Sequence, residues 1–585
     1  TVNRYTVTPQ LTATPTSWLQ IITRANADVS DDKRTYFFPI GSAGEVQTGV
    51  LNEDVISNRN LTFDFIGKAN FSLADQLGLT ITTGWNFTDR RYQRSTGRIS
   101  GFLVDSDKET TSLNTSAEAS LFEPVRTHRR SNRGYGIFKF DMFDQLYVKL
   151  SGALENSSTM NGTFFYPAAD IAWDFTESLT SSALSFGKLR ASLGQVGVQP
   201  APHRFETLAE GSFSYSTLNN PLSIDLFGGG FRVDNNLGNP NLEPEIKTEF
   251  EVGADLRFAR DRLSLSLTYY QNKIEGILLN VNLTPSSGYS TQYGNFGAME
   301  NEGFEVDLGY TFIQGKDWNF NAALNWSTNE NLVTNLAGTQ YVELGGGEVF
   351  SAAVEGHPLG AIVGTGSQTN EDGTFILNEN GFPILTSSPI VLGDPNPDWR
   401  AGLILNLSWK KFRLGAVIEH SEGGVFNPRT LHVLNRFGNT METANLVTLD
   451  QNLVNYNGDV VLAGTTVRGN IENFGAGPVL LDETWYRTGI GGGLGSNQAY
   501  NFNIYDATFT KFRELSLSYT LDGNLLRGAI QSITLTASAR NFININNVPG
   551  IDPEINQNGV GQALGIEYFT NPQTRSFLFS AFVNF

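Results

Sequence analysis

The residues that could carry out acid–base or metal chemistry are few in this chain and lie far apart. There are five histidines, at His128, His203, His357, His420 and His432, and no cysteine. Zinc sites normally place two ligands a few residues apart, and a nucleophilic triad needs a histidine held between a serine and an acid. The wide spacing of the five histidines predicts that they are ordinary residues of loops or of a barrel wall. It therefore predicts a protein that is not an enzyme and holds no metal or other cofactor.

Three further patterns have both a chemical and a structural interpretation. Glu305 and Asp307 could act as paired carboxylates, but alternating acids on a barrel strand are typical of a polar lumen. The glycine-rich stretch 489–495 lacks the spacing and strand–helix context of a dinucleotide site, and it is interpreted as a mobile loop. The segment 394–398, Asp-Pro-Asn-Pro-Asp, offers oxygens for calcium. Its prolines predict first a rigid lead into the strand that begins at Trp399, and bound calcium is left open.

The composition bounds the function further. Of the 585 residues 40% are hydrophobic and only 17% are charged, and the net charge is −19. A nucleic-acid-binding protein would show a basic stripe; the nearest candidate, 126–133, is short and is interpreted as a patch on a loop or barrel wall. No run of about 18 apolar residues is present, which excludes a transmembrane helix. A membrane barrel is not excluded, because its strands need only about 10 alternating residues.

The end of the chain predicts the element around which the rest is organised. Every second residue near the end of the chain is apolar, namely Phe577, Phe579, Ala581, Val583 and Phe585. Successive strand side chains point to opposite faces, so these residues predict a strand with one apolar face. An exposed apolar edge invites aggregation, whereas a closed barrel in lipid pairs the edge on both sides. We interpret this segment as the closing strand of a membrane barrel; the alternative is the last core strand of a soluble β-sandwich.

One strand has the length that a bilayer requires. Trp399 and Trp409 lie ten residues apart on one face, with alanine and leucines between them. At about 3.3 Å per residue and a tilt of about 40°, the strand spans roughly 25 Å, the height of a barrel's apolar band. Trp318 and Trp326 bracket the preceding strand in the same way. The four tryptophans are therefore predicted to lie in the aromatic girdles at the two membrane surfaces.

Short and long connections alternate along the chain, which is the rule for bacterial barrels with short periplasmic turns and long external loops. Short turns are predicted near 74–76, 142–145, 259–261, 313–317 and 409–411, and long external loops near 88–132, 198–243, 327–397, 421–505 and 543–573. Residues 28–57 are predicted to be polar and irregular. The pattern gives one all-β domain over 1–585, a transmembrane antiparallel barrel with about 16 strands. It fits either a complete porin or the final part of a larger barrel, with 1–11 as the tail of an earlier descending strand.

The long loops contain aromatic side chains that could stack on a substrate. Tyr293, Phe296, Trp485 and Tyr486 are the candidates. The alternative is that they pack within the loops themselves, because loops of this length must pack on something.

Several segments, in chain order, match the pattern of one known family. They are 185–192 with 194–197, 238–245, 293–295 with 302–305, 393–399, 512–519 and 550–554. This set resembles the barrel part of the SusC/RagA-type TonB-dependent transporters of the Bacteroidetes outer membrane. The resemblance covers nearly the whole chain, most firmly from about residue 130 onward.

The resemblance implies a bacterial outer-membrane location and a 22-stranded barrel with a plug inside it. The chain would then be the last part of such a barrel, lacking its plug. It also implies import of a large nutrient, an oligosaccharide or a peptide, with a SusD-like surface lipoprotein as lid and TonB acting through a plug region absent here. The terminal residues Phe577, Phe579, Val583 and Phe585 are similar to the signal read by the barrel-assembly machinery, and outer-membrane lipid would surround the wall.

Other functions remain open at this point. A passive 16-stranded porin would need neither lid nor TonB. A SusC-like barrel could also be a scaffold subunit of a larger outer-membrane complex, or one half of a transporter whose plug lies on another chain. No nucleic-acid partner is expected, because no basic stripe is present.

Overall fold

The structure is a computed structural model that describes residues 2–103, 121–179, 183–212, 230–492, 498–522, 530–559, 561 and 563–585. Parts of four predicted loops lie outside the described residues, namely 104–120, 213–229, 493–497, and 560 with 562. So does the end of the glycine-rich stretch, 493–495.

The described residues form mainly β-strands. In the first half they are β1 (Val2–Val7), β2 (Gln10–Thr16), β3 (Leu19–Phe38), β4 (Val50–Ala74), β5 (Leu77–Ser100), β6 (Leu121–Met142), β7 (Leu146–Ser157), β8 (Phe164–Asp174), β9 (Leu184–Val198), β10 (Ala209–Ser212), β11 (Gly230–Val233), β12 (Asn236–Leu237), β13 (Glu245–Phe258), β14 (Leu263–Asn282), β15 (Thr291–Gln314), β16 (Trp318–Ser327) and β17 (Glu330–Asn335).

The second half adds shorter strands and the described helices. The strands are β18 (Val342–Gly346), β19 (Val349–Ala353), β20 (Ala361–Gly364), β21 (Ile390–Gly393), β22 (Trp399–Trp409), β23 (Phe412–Glu422), β24 (Val425–Pro428), β25 (Leu446–Thr448), β26 (Leu453–Val454), β27 (Val460–Val461), β28 (Thr466–Arg468), β29 (Asn470–Asn473), β30 (Pro478–Leu481), β31 (Tyr505–Asp506), β32 (Phe509–Asp522), β33 (Ser532–Asn546), β34 (Ile566–Glu567) and β35 (Ser576–Asn584). Helix α1 is Arg429–Arg436, Thr484–Thr488 is a π-helical turn, and 3-10 turns lie at Gly44–Val46, Phe175–Glu177, Pro285–Ser287, Glu442–Ala444 and Tyr500–Asn503. None of the helices in the described part of the chain is long and apolar enough to cross a membrane.

Twenty strands form one large sheet: β1–β9, β12–β17, β22, β23, β32, β33 and β35. Neighbours in sequence pair antiparallel in successive hairpins, as β3–β4, β4–β5 and β5–β6 do. Both β1 and β2 pair with β3, and both β16 and β17 pair with β15, so each couple is one interrupted strand. Leaving aside the two-residue β12, the described sheet therefore has 17 strands where about 16 are predicted. The additional strand is β1 with β2, which overlaps the segment 1–11 suggested to be the tail of a descending strand and continues to Thr16.

The tight turns fall where short connections are predicted. Non-glycine residues with positive φ lie in three of the predicted turns. They are Phe143 and Asp144 in 142–145, Ala259, Arg260 and Asp261 in 259–261, and Lys410 in 409–411. Left-handed residues of this kind occur in tight hairpin turns, whose backbone twist matches that of the flanking strands. The chain therefore reverses within a few residues at one end of the sheet.

The prediction for residues 28–57 is wrong, because strand pairing continues through polar sequence. β3 and β4 pair from Leu19↔Ala69 to Phe38↔Val50, and β5 and β6 extend the same surface into the segment 88–132. The polar side chains satisfy one another across strands; Arg94 and Thr96, for example, both donate to the Asp54 carboxylate. Alternation of hydrophobicity marks only the membrane-facing part of a strand, so the polar extension carries no such signal.

The chain divides into two compact units. The first is Thr1–Trp173, Arg190–Phe250 and Ile274–Phe296, and the second is Asp174–Leu189, Glu251–Lys273 and Gly297–Phe585. The second unit contains small sheets within its long connections, including β18–β19–β20–β21 and β31–β24–β34. Val349, Ile362, Tyr500 and Ile566 form one buried cluster, so three connections share a core. These predicted external loops are therefore folded structures.

Candidate functional site

The four predicted girdle tryptophans lie in pairs at the two ends of the β16–β22 hairpin. Trp318 and Trp409 are direct cross-strand partners, and their rings stack with centroids 5.4 Å apart. At the other end Trp326 is opposite Ala401, and Trp399 packs on the His420 ring at 4.8 Å. The two aromatic ends are thus eight residues apart on β16 and ten on β22, as girdles at two membrane surfaces require. Their contact with lipid stays a prediction.

We expect the stacked pair to be energetically coupled. Changing Trp318→Ala and Trp409→Ala together should cost about 0.5–1.5 kcal/mol less than the sum of the single changes, because the stack is already lost in either single variant. Urea unfolding of the full-length protein in lipid vesicles measures this. Trp318→Ala with Trp399→Ala, at opposite ends, should be additive. Equal coupling in both combinations would contradict a specific stack.

The final strand presents its aromatic residues on an exposed face. β35 pairs with β33, with Phe577 opposite Ala539, Phe579 opposite Ala537 and Val583 opposite Ile533. Phe577, Phe579 and Phe585 are all exposed. Apolar cross-strand partners and exposed rings are what a lipid-facing surface needs. Recognition of these residues by the barrel-assembly machinery stays a prediction.

Tyr293 holds a neighbouring segment of the first unit in place through hydrogen bonds. Its hydroxyl accepts from the Ala201 N–H at 3.4 Å, and its carbonyl accepts from the Asn239 side chain at 3.3 Å. The Arg204 guanidinium lies 5.4 Å from the ring centroid. Phe296, also at the start of β15, is half-buried. Tyr293 therefore positions residues from the predicted loop 198–243, which is a structural use of a side chain suggested to bind substrate.

Trp485 and Tyr486 lie inside a core of the second unit. They are only 4% and 5% exposed, and they pack with Phe382, Val479 and Ile490. The Tyr486 hydroxyl donates to Glu442 at 2.9 Å and accepts from Asn470 at 3.0 Å, while burial raises its pKa. This burial favours the alternative interpretation, packing within the loops. The described glycines of the stretch 489–495 are buried against the same residues, since a Cβ at Gly491 would overlap the Trp485 ring. That part is packed and is not a free loop.

Buried charges join the connections of the second unit to one another. Arg429 pairs with Glu348 at 3.1 Å, Tyr500 donates to the same carboxylate at 3.0 Å, and Arg429 lies 4.5 Å from the Tyr568 ring centroid. A second group fixes the segment after β33 to β32, where the Lys511 ammonium lies 2.7 Å from Asp552 and 2.6 Å from Glu554. Burial alone would raise the pKa of Glu554, but hydrogen bonds from Arg513 and Lys511 outweigh it and lower the pKa to about 2.

His432, one of the scattered histidines, is fully buried on helix α1. Burial is the largest influence and lowers its pKa to about 3 from an ordinary 6.5, although the Asn503 backbone acts in the opposite direction. Within the described residues no three His, Asp or Glu side chains form a group able to hold a metal.

Asp394 caps its own turn by accepting a hydrogen bond from the Asn396 N–H at 2.9 Å, which supports a rigid lead into Trp399.

The buried histidine makes the loop core sensitive to acid. Between pH 6.5 and pH 3 the unfolded imidazole is protonated and the folded one is not, so stability is complete above pH 6.5 and falls with pH. We expect a loss of about 2 kcal/mol at pH 5. Hydrogen exchange of the α1 amides, corrected for the intrinsic rate, measures it. His432→Gln should remove the step, and His357→Gln, at an exposed histidine, should keep it. A flat wild-type profile would contradict this.

Two cavities offer polar surfaces of different character. In the first unit a cavity of about 480 Å³ lies on the polar face of the sheet, with Asp64, Asn86, Arg133, Tyr135 and Gln195 among its lining residues. In the second unit a cavity of about 860 Å³ lies within one connection. It is lined by residues that include Arg436, Phe437, Arg468, Glu483 and Arg487. The two together provide amide, guanidinium, carboxylate and aromatic groups, which hydrogen-bond and stack on polar ligands.

Comparisons with known proteins agree with this architecture. Residues 2–542 match the family described as TonB dependent receptor-like, beta-barrel. The TonB-dependent receptor P3 of Formosa agariphila is 26% identical over 457 residues, which are 72% of this chain and 42% of that protein. The TonB-dependent receptor SusC of Bacteroides thetaiotaomicron is 26% identical over 235 residues, 38% of this chain and 22% of that protein.

A solved structure of the RagAB peptide transporter has the same fold. It covers 99% of this chain with a TM-score of 0.75 and 18% sequence identity, and the chain covers 61% of it. The chain thus spans less than two thirds of the length of these relatives. Members of the family are transport proteins and not enzymes. The chain belongs to the TonB dependent receptor-like β-barrel family, and it is an antiparallel β-barrel protein of the bacterial outer membrane.

Proposed function

We propose that this chain forms the wall and external loops of an importer that TonB energises to take up a large polar nutrient. The observation that carries the proposal is the family match over residues 2–542, together with the fold shared with the RagAB peptide transporter. The polar cavity on the inner face of the first unit supports it, because a translocation path needs hydrogen-bonding groups along its wall. The residues Asp64, Arg133 and Gln195 would line that path.

We further propose that the folded loops form a platform for a SusD-like lid. Within the connection between β23 and β32, large apolar side chains are exposed at Phe437, Met441, Leu446, Val460 and Leu462, with Met441 89% exposed. Exposed apolar groups on a folded surface are typical of a protein interface. The pairing of the buried Arg429 with Glu348 and the Trp485 core would hold this surface in one shape.

The nutrient is proposed to be an oligosaccharide or a peptide. A net charge of −19 disfavours anionic polymers at low salt. Tyr293 and Phe296 stay proposed as substrate contacts. For Trp485 and Tyr486 the proposal is now that they hold the loops in place, since their rings are inside the core.

The test is uptake by cells that produce the natural full-length protein. Labelled mixed oligosaccharides and mixed peptides are offered to cells with and without a functional tonB gene. We expect one mixture to accumulate only when both the protein and TonB are present. Accumulation that does not depend on TonB would favour a passive porin. A protein that imports neither mixture and copurifies in fixed stoichiometry with subunits other than a SusD-like lipoprotein would be a scaffold.

The lid proposal has its own measurement. The protein is purified from outer membranes in mild detergent, and its partners are identified by mass spectrometry. A SusD-like lipoprotein should copurify, and Met441→Asp with Leu446→Asp should weaken that association by more than tenfold. Matched changes at exposed polar positions, Asn439→Asp and Thr448→Asp, should leave it unchanged. Equal weakening by both sets would show that this apolar surface is not the docking site.

A further inference from the structure

A group of cations lies on the outward face of the first unit, directly beyond its apolar band. Along β4, β5 and β6 the outward positions are those that share a face with Phe63, Trp85 and Phe87, whose rings contact one another at 5.9 and 6.3 Å. Toward the external loops, three rows of outward positions follow, each with one residue from β4, one from β5 and one from β6. The first row is Leu61, Asp89 and Arg130. The second row is Arg59, Arg91 and His128, and the third row is Ser57, Gln93 and Arg126. We call Arg59, Arg91, Arg126 and Arg130 the basic patch.

The patch is unbalanced in charge. The one acidic side chain in these three rows is Asp89. Its carboxylate accepts hydrogen bonds from Arg91 Nε at 3.0 Å, Arg130 Nε at 2.7 Å and His128 Nε2 at 2.9 Å. Asp89 itself is buried, whereas the arginine side chains around it are exposed. Four guanidinium groups thus face one carboxylate, in a chain whose net charge is −19.

The arrangement costs stability unless an anion joins it. Arg59 is the direct cross-strand partner of Arg91. Like charges directly opposite each other on a sheet are destabilising. Asp31 is the nearest exposed acid on β3, one step diagonal from Arg59, since Val29 pairs with Arg59 and Asp31 with Ser57. The contacts of Arg91 and Arg130 with Asp89 use Nε, which leaves their Nη atoms to donate to a further anion.

The height of the patch identifies the anion. Its rows lie two, four and six residues beyond the Phe63–Phe87 pair, which is about 5, 10 and 15 Å along the membrane normal for strands tilted by about 40°. The headgroup zone begins at the edge of the hydrocarbon and is roughly 5–8 Å deep. Long arginine side chains can also reach several ångströms toward the membrane. The first two rows therefore lie at the depth of lipid headgroups.

Acidic residues occupy two comparable positions in the second unit. Beyond the Tyr269–Phe304 aromatic pair, the next outward residues of β15 and β17 are Glu302 and Glu330, which are cross-strand partners. A ring of cations is therefore not a general feature of this wall. The basic patch on β4–β6 is not repeated at these positions of β15 and β17.

We propose that the basic patch binds the phosphate-bearing headgroup of an outer-leaflet lipid, and so fixes one lipid against this side of the wall. Arg59 and Arg91 would hold a phosphate between them and remove their mutual repulsion. Arg130 and Arg126 would contact the same headgroup on either side. The proposal goes beyond nutrient import, and it rests on the outer-membrane location and on the long loops being external.

The test uses native mass spectrometry of the full-length protein purified from outer membranes, with bisphosphorylated lipid A as probe. Arg59→Gln with Arg91→Gln should weaken binding by more than about tenfold, because each arginine donates charge-assisted hydrogen bonds. The adjacent hairpin, β5–β6, supplies a matched control: Arg90 and Arg129 are also cross-strand partners, on the opposite face. Arg90→Gln with Arg129→Gln should change binding by less than about twofold. Arg59→Lys with Arg91→Lys should retain most of it.

Any of the following three outcomes would overturn the proposal. Equal losses in the outward and inward variants would mean that overall charge, and not this patch, governs binding. Dephosphorylated lipid A that binds as tightly as the phosphorylated form would assign the interaction to acyl chains. Displacement of the lipid by millimolar inorganic phosphate would indicate a free-phosphate site. If the Gln pair fails to fold, the Lys pair still decides, since it should bind phosphorylated lipid A at least tenfold better than the dephosphorylated form.

Discussion

Replacing Lys511 with methionine should release the segment between β33 and β35 from the barrel rim. The Lys511 side chain is 2% exposed and lies between the carboxylates of Asp552 and Glu554. Methionine keeps the length of the side chain but leaves Asp552 without its cation and Glu554 with Arg513 alone. Removing one partner of a buried ion pair typically costs about 3–5 kcal/mol. Amides near residue 555, whose N–H donates to the Asp552 carbonyl, should exchange roughly a hundredfold faster or more.

The chain offers both a control and a rescue for this experiment. Lys411 pairs with Asp522 at 2.7 Å, but the two side chains are 46% and 61% exposed, so Lys411→Met should cost less than about 1 kcal/mol. Adding Asp552→Asn and Glu554→Gln to Lys511→Met should restore much of the protection, because no unpaired buried charge remains. Unchanged exchange in Lys511→Met would mean that this ion group does not hold the segment.

Replacing Trp485 with alanine should open the core shared by two connections. The indole lies 5.7 Å from the Phe382 ring, 5.5 Å from Phe474 and 5.4 Å from Phe502, measured between centroids. Phe382 belongs to the connection before β22 and the other rings to the one before β32. Truncating a buried tryptophan removes its transfer free energy and leaves a cavity, at about 3–5 kcal/mol. Limited proteolysis between residues 366 and 386 should then become at least tenfold faster.

A matched aromatic change separates this effect from the loss of any ring. Phe437 lies in the same connection and is 66% exposed. Phe437→Ala should change the proteolysis rate by less than about twofold, because an exposed side chain contributes little to stability. Equal rates in the Trp485→Ala protein and the wild type would show that the loops are held by other contacts. The proposed lid platform would then lose its structural support.

The membrane-facing part of the fold follows from the sequence because lipid imposes a strict alternation. The strand from Trp399 to Trp409 has the predicted bounds, and the register with β16 pairs Trp318 with Trp409. Tight turns such as 142–145 are also predictable, since the apolar pattern stops and restarts within a few residues. The family resemblance adds the larger architecture, which periodicity alone leaves open.

The structure outside the membrane is not predictable in the same way. Residues 28–57 form paired strands, but their stabilising contacts, such as Asp54 with Arg94, join residues forty positions apart. The loop cores likewise depend on long-range packing, as between Phe382 and Trp485. The basic patch is visible in sequence only as the run 126–133. Its outward side is defined by the register that places Arg59 beside Arg91 and His128 beyond them.

Ion conductance of the full-length protein, extracted from outer membranes and placed in a planar bilayer, separates a TonB-dependent importer from a passive pore. We expect the protein alone to conduct no steady current, because an importer opens only when TonB acts on it. Closed behaviour in the bilayer, together with TonB-dependent uptake in cells, would agree with the proposed function. A steady, voltage-stable current through every inserted molecule in the absence of TonB would contradict it and would identify a passive pore.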